Sequence, residues 1–419
     1  IVFSVFSWYF FSLSRDSYDY ISLANHIKEG KFYSSNNEYS TVWPLGYSIL
    51  VAAVSYLGLP LKLSLLSINL ILFISSYKLL AKVIEGEDNN VLSILILFIF
   101  HGIYLRAISE PLFIFLIIAI LFVLKNFEYN FKNYCILTVL FWFLVETKHA
   151  GIFMIPCSLL YLNGLKINKQ SFFLILTTSL LLVIFILRLY FIGNITGEHR
   201  IPNSDSLLSV IKGSLDISNY HEFKKKYHPY FISILLLGAC SVYFRRSKDY
   251  PKYLLFIFLL AIFYYCYIVL LRYITFFSGL EPRFMVPYVL FSMIFILSVL
   301  KGIKKYFITI SIIIFGVSLY INIKYKYKIN YENNIFNIAF FEGKTEAKNV
   351  VVDRKSSVIV AEALFSGKNI IIQEKLKDIL LINNNKDSLY YGNGSVFLIK
   401  TTNDTVKIID LTLNKNLKK

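Results

Sequence analysis

The sequence predicts a mostly α-helical bundle that crosses a membrane many times, with a small α/β domain at its C-terminal end. Three observations carry that expectation. Hydrophobic residues make up 56% of the 419-residue chain and charged residues only 16%, where soluble domains carry about a quarter charged residues. The mean hydropathy is +0.60. Apolar runs of roughly 15 to 22 residues recur between short polar connections, the length a bilayer asks of a helix.

In chain order the apolar segments read as 1–13, 43–59, 63–82, 91–105, 109–125, 134–147, 150–163, 171–192, 229–244, 253–275, 284–300 and 305–322. The longer polar connections are 14–42, 193–228 and 276–283. The first run begins at Ile1, with no Met and no basic stretch before it. That pattern fits a missing start or a truncated first span, not a cleaved signal peptide. Orientation follows from Lys and Arg. Arg245-Arg246-Ser247-Lys248, Lys301 to Lys305, Lys166 with Lys169, and Lys125 with Lys132 belong on the cytoplasmic side. Alternation then places 193–228, 276–283, the 147–149 and 106–110 junctions and the tail outside. With the 82–90 loop inside, Leu59-Pro60 lies outside, and the 14–42 loop is outside as well if 1–13 starts from the cytoplasm, so 43–59, which opens Trp43-Pro44, is expected not to cross. About 11 spans remain in a membrane domain over 1–322, whose first outer loop is 14–62.

The tail, 331–419, reads as the small soluble domain. Strands are expected at Asn349 to Val352, Asn369 to Ile372, near Ser395 to Lys400 and near Val406 to Ile409. Helices are expected over Ser357 to Phe365 and Glu374 to Ile382. It has neither a glycine-rich phosphate loop nor a metal-ligand cluster. The net charge of +17 is spread over loops and tail. Nucleic-acid binding needs charge concentrated on one soluble face, so it is not expected; lysines on cytoplasmic loops against anionic lipid account for the excess. Cys135, Cys157, Cys240 and Cys266 all lie in apolar runs at spacings that match no zinc site or disulfide framework.

Against that background the ionisable residues at membrane exits stand out. Asp16 and Asp19 follow directly on the first apolar run, and Tyr20, Leu23, Ala24 and Ile27 behind them share one helical face that stops at Gly30. A carboxylate there suits a general base for an attacking hydroxyl, and it equally suits a solvated helix cap. Arg106 with Ser109-Glu110-Pro111 is either a functional pair or the polar ending of two helices. In Glu146-Thr147-Lys148-His149, Lys148 suits a phosphate as a point charge, while His149 reads as structural more readily than as a proton carrier. Thr196-Gly197-Glu198-His199-Arg200 and Glu281-Pro282-Arg283-Phe284 complete the set. By the charge argument Asp16, Arg106, Glu110, Lys148, Arg200 and Arg283 share one membrane face. An acid with several cations on one face suits a lipid-linked phosphate donor, the cations neutralising the departing phosphate and the acid activating the acceptor.

These residues also carry a resemblance. Arg15 to Ala24, Glu29-Gly30 and Trp43-Pro44-Leu45-Gly46-Tyr47 resemble the first loop of the GT-C-type membrane glycosyltransferases, which include protein O-mannosyltransferase and aminoarabinose-transferase relatives. Ser109 to Phe113, Thr147 to Gly151, Thr196 to Arg200 and Pro282 to Pro287 follow in the family's order, so the match spans about residues 1–300 and leaves the tail uncovered. The resemblance implies inverting transfer of a sugar from a polyprenyl-phosphate donor, outside the cytoplasm of a bacterial inner (plasma) membrane. The acceptor would be a lipid, glycan or protein. Asp16 matches the position of the family's catalytic loop acid, and Arg283 and Lys148 match positions suited to the donor phosphate; with Asp16 as general base, Asp19 and Glu110 are expected in support and Arg106 and Arg200 on the same phosphate. Two departures matter: many members carry a second acid where this chain has Ser17, and Glu-Lys where it has Val42-Trp43. No cofactor is therefore expected to be required, and the missing double acid argues against a divalent metal. A lipid-linked-sugar transporter or a catalytically inactive relative are the competing readings.

Overall fold

The computed structural model describes residues 11, 13–31, 34–35, 38–39, 44–84, 89–163, 169–191, 201–202, 206–218, 231–246, 251–276, 282–299, 349–352, 360–361, 369–372, 388–392, 395–402 and 405–410. The apolar run 305–322, most of the run 1–13, the expected tail helix over 374–382 and all but the helical Val360 and Ala361 of that over 357–365 fall outside these residues, as do Trp43 and Arg200. The chain divides into two compact units, 1–68 with 105–108 and 322–419, and 69–104 with 109–321.

In the first unit, α1 spans Arg15–Lys28 and α2 spans Leu45–Ser55. Ser14 precedes α1, and its backbone amide donates to Ser17 Oγ at 2.8 Å, a reciprocal closure of the helix start. At the other end Gly30 has φ +75°. Lys31 N–H donates to His26 C=O at 2.8 Å and Gly30 N–H to Ile27 C=O at 3.1 Å, so the last carbonyls of α1 are satisfied by a Schellman motif. Tyr20 of α1 meets Tyr47 of α2 edge-on, ring centroids 5.3 Å apart. The expected single apolar face understates α1: Ser17, Asp19 and Ser22 are buried together with Tyr20, Leu23 and Ala24. At 11 residues, α2 is about 16 Å long, roughly half of a bilayer's apolar thickness.

The first unit also holds a five-stranded sheet. Strands β1 (Ser34–Ser35) and β2 (Glu38–Tyr39) pair near α1, β3 (Ile201–Pro202) and β4 (Thr275–Phe276) pair elsewhere in the chain, and the sheet comprises β5 (Asn349–Val352), β6 (Asn369–Ile372), β7 (Ser388–Gly392), β8 (Ser395–Thr402) and β9 (Thr405–Asp410). The order is β6-β5-β7-β8-β9, with β5 parallel to β6 and β7 and an antiparallel meander from β7 to β9. Val350, Val351 and Val352 are buried, as suits a central parallel strand. The strand β7 is an addition to the sequence expectation.

Helices α3 (Leu61–Val83), α4 (Asn89–Ile99), α5 (His101–Tyr104), α6 (Glu110–Lys125), α7 (Phe131–Thr147), α8 (Met154–Asn163), α9 (Lys169–Phe191), α10 (Leu207–Ser218), α11 (Phe231–Arg245), α12 (Lys252–Ile274) and α13 (Val286–Val299) follow in order. Every residue of α13 is buried, which is why it is apolar all round. Helix α6 is nearly as enclosed. By contrast α12 buries Ile257, Leu260, Ala261, Tyr264 and Ile268 and exposes Leu259, Ile262, Phe263 and Leu270, so its outer surface is as apolar as its inner one. Helices α3 and α12 have 23 residues each and are long and apolar enough to cross a membrane. The run expected over 91–105 is broken between Ile99 and His101. At the break Phe100 N–H turns back to Leu97 C=O at 3.0 Å, and at the end of α5 Asn69 donates from Nδ2 to the Tyr104 carbonyl at 2.9 Å. The long connection 193–228 contains α10, which was not expected as an element. Its Ile211 carbonyl accepts from the Tyr265 hydroxyl at 3.4 Å.

Candidate active site

The second unit brings three of the sequence-derived residues together. Glu110 opens α6, with Ser109 before it and Pro111 in its first turn, where a missing N–H costs nothing. Its carboxylate is about 4% exposed. Lys148 sits where α7 has ended. Its backbone is extended, φ −156° and ψ 124°, and a 3₁₀ turn, His149–Phe153, follows. Lys148 N–H still bonds to Leu144 C=O at 3.0 Å, and Gly151 N–H returns to Lys148 C=O at 2.8 Å. This tight reversal depends on Gly151, where a Cβ would lie 2.6 Å from Leu144 Cγ and 2.9 Å from the Leu144 carbonyl oxygen. The backbone there leaves no room for a side chain.

From this turn the Lys148 ammonium donates to Glu110 Oε1 at 2.6 Å. Arg283, in the 3₁₀ turn Pro282–Met285 that leads into α13, places Nε 4.0 Å from the same oxygen. The carboxylate is enclosed, while Lys148 and Arg283 keep about 18% and 25% of their side chains exposed. Among the described residues two cations meet one carboxylate here, and the cations carry the accessible atoms. Such an arrangement receives an anion. Glu110, already engaged by Lys148, is a poor base and a good anchor.

Aromatic rings surround the cations. Lys148 Nζ lies 5.8 Å from the Phe113 centroid and 5.2 Å from that of Phe284. Arg283 Cζ lies 5.2 Å from the Phe284 centroid as well. Phe113 follows Glu110 at i+3 and so shares its face of α6. The Tyr264 hydroxyl donates to the Phe284 carbonyl at 2.7 Å, and the Tyr264 ring meets Phe153 at 4.8 Å. Phe153 in turn lines an apolar cavity of about 460 Å³ with Ile152, Ile155, Pro156, Phe263 and Tyr267. Sequence reasoning did not single out Phe113, Phe284 or Tyr264 for a role, because in so apolar a chain an aromatic residue reads as core. The available signal was position: Phe284 directly follows Arg283, and Phe113 lies one turn beyond Glu110.

The remaining candidates are placed as follows. Asp16 is half-buried in the first turn of α1 and Asp19 is buried one turn on. Arg106 is exposed between α5 and α6, its carbonyl accepting from Ile108 N–H at 3.0 Å. These three belong to the first unit. Arg200 lies outside the described residues. Glu146, the last acid of α7, is buried. Among the described residues no three His, Cys, Asp or Glu side chains group as metal ligands would.

Neither a protein-family model nor a curated protein sequence matches the chain. A solved structure does match it in shape: ArnT from Cupriavidus metallidurans, in its crystal structure bound to undecaprenyl phosphate, superimposes with a TM-score of 0.56 over 93% of this chain and 91% of that one, at 8% identity. The chain has a GT-C-type glycosyltransferase fold. The likeness extends over nearly the whole length of both chains, so it is a shared architecture and not a shared helical fragment.

Proposed function

We propose that this GT-C-fold chain is an inverting membrane glycosyltransferase that moves a sugar from a polyprenyl-phosphate donor to a lipid, glycan or protein acceptor on the non-cytoplasmic face of a bacterial inner (plasma) membrane. The observation that carries the reading is the Glu110–Lys148–Arg283 cluster, anion-accepting and anchored by an enclosed carboxylate. The likeness to a structure that holds undecaprenyl phosphate supports the choice of anion. The neighbouring apolar cavity suits an isoprenoid chain.

In the proposed reaction Asp16 takes the proton of the acceptor hydroxyl as its oxygen attacks the anomeric carbon. The bond from that carbon to the phosphate oxygen breaks on the opposite side, which inverts the configuration. Lys148 and Arg283 receive the charge that develops on the departing phosphate, and Arg106 and Arg200 are assigned to the same phosphate. Glu110 holds Lys148, and Asp19 supports Asp16. The proposal keeps about 11 spans, α2 as a non-crossing helix, and the 331–419 domain outside the cytoplasm. Product anomeric configuration, read by NMR with an anomerically defined donor, tests the inversion. A retained configuration would rule out direct attack by an Asp16-activated hydroxyl.

A further inference from the structure

We propose that Phe284 is a positioning residue for the donor phosphate, its ring holding Lys148 and Arg283 side by side while Tyr264 fixes the backbone beneath it. The inference rests on the reading of Lys148 and Arg283 as phosphate ligands and deepens it. Two cations that share one carboxylate in a poorly solvated place repel one another, and Glu110 by itself favours Lys148, at 2.6 Å against 4.0 Å for Arg283. The ring adds an attraction that both cations share. An aromatic face carries partial negative charge and draws a cation within about 6 Å of its centroid. Phe284 does this for both cations at once, each 5.2 Å away.

The ring holds charge that it does not neutralise. A second carboxylate between the cations would cancel the site's positive charge and compete with phosphate, whereas a phenyl ring gathers the cations and leaves that charge available. The backbone is held separately. Tyr264, itself buried, donates to the Phe284 carbonyl at 2.7 Å and is braced by Phe153. The 3₁₀ turn that carries Arg283 is thereby tied to α12. Leucine at 284 would fill much of the same volume and attract neither cation.

The test uses the full chain in lipid nanodiscs with farnesyl phosphate as probe and farnesol as the uncharged control. Wild type is expected to bind farnesyl phosphate better than farnesol, and K148M to lose that preference. F284L should weaken farnesyl phosphate binding about tenfold and F284W should stay within about twofold of wild type. Because F284L can also disturb packing, phenylalanine analogues with two and four ring fluorines at position 284 keep the shape and reduce the ring's charge. Affinity should fall with each step at constant thermal midpoint. A wild type indifferent to the phosphate, or a K148M variant that binds like wild type, would remove the phosphate reading and the role of Phe284 with it. A fluorine series with flat affinity, beside a K148M variant that fails to bind, would overturn the role of Phe284 alone.

Discussion

Glu110 and Lys148 show how single side chains set this site. A carboxylate that is about 4% exposed with an ammonium 2.6 Å away is a pair whose halves depend on each other. E110Q leaves Lys148 facing a neutral amide, and the expected loss is about 1–3 kcal/mol of stability, below the range for fully enclosed pairs because Lys148 keeps a path to water. The double variant E110L/K148M should recover most of that stability and none of the transfer activity. Thermal unfolding and a transfer assay on wild type and these two variants separate the two effects. If E110L/K148M were as unstable as E110Q, the pair would have to be placed in packing and not in electrostatics. At this scale the sequence was informative where charge interrupts an apolar run: Glu110, Lys148 and Arg283 all stand at such interruptions, and the structure gathers them. It was silent on Phe113, Phe284 and Tyr264, since what gives these rings meaning is the cation beside them, and that neighbour comes from another element.

The elements carry their own predictions. Gly30 holds φ +75° with nothing within 4 Å of a Cβ built there, so G30A meets no clash and pays only for the left-handed backbone, about 1 kcal/mol of stability. Gly151 is the opposite case. G151A drives a methyl group into the Leu144 carbonyl, and because that turn aims Lys148, donor affinity should fall by about tenfold or more alongside about 1–3 kcal/mol of stability. Measured donor affinity for G30A and G151A should therefore differ even where their stabilities are similar. Equal affinities would mean that the turn does not position Lys148. Helix positions were legible because each apolar run is long and bounded: 109–125 became Glu110–Lys125 and 253–275 became Lys252–Ile274. The break in 91–105 was not legible, because no proline marks Phe100, where the N–H turns back to the Leu97 carbonyl. The strand Ser388–Gly392 escaped notice between polar segments, since its place depends on parallel pairing with the distant β5.

For the whole molecule, the apolar bundle and the tail sheet lead to a claim about sidedness. Charge bookkeeping places the loop that carries Asp16 on the non-cytoplasmic face and Arg245 to Lys248 in the cytoplasm. In a chain with Cys135, Cys157, Cys240 and Cys266 removed, single cysteines at Lys31 and at Lys248 should react with a membrane-impermeant thiol reagent from opposite sides of sealed cells. Labelling from the same side would overturn the orientation and, with it, the non-crossing reading of α2. The mostly helical architecture was legible early because long apolar runs fix it. The chemistry was less so, because it depends on which ionisable residues the fold brings into one place. The central claim is that Asp16 is the base of a glycosyl transfer from a polyprenyl-phosphate sugar, and one measurement tests it most directly. Purified wild-type protein and D16N, incubated with a panel of polyprenyl-phosphate sugars and membrane extract as acceptor, should both bind donor while only wild type releases polyprenyl phosphate and glycosylated product. A D16N variant that transfers at the wild-type rate would contradict the account.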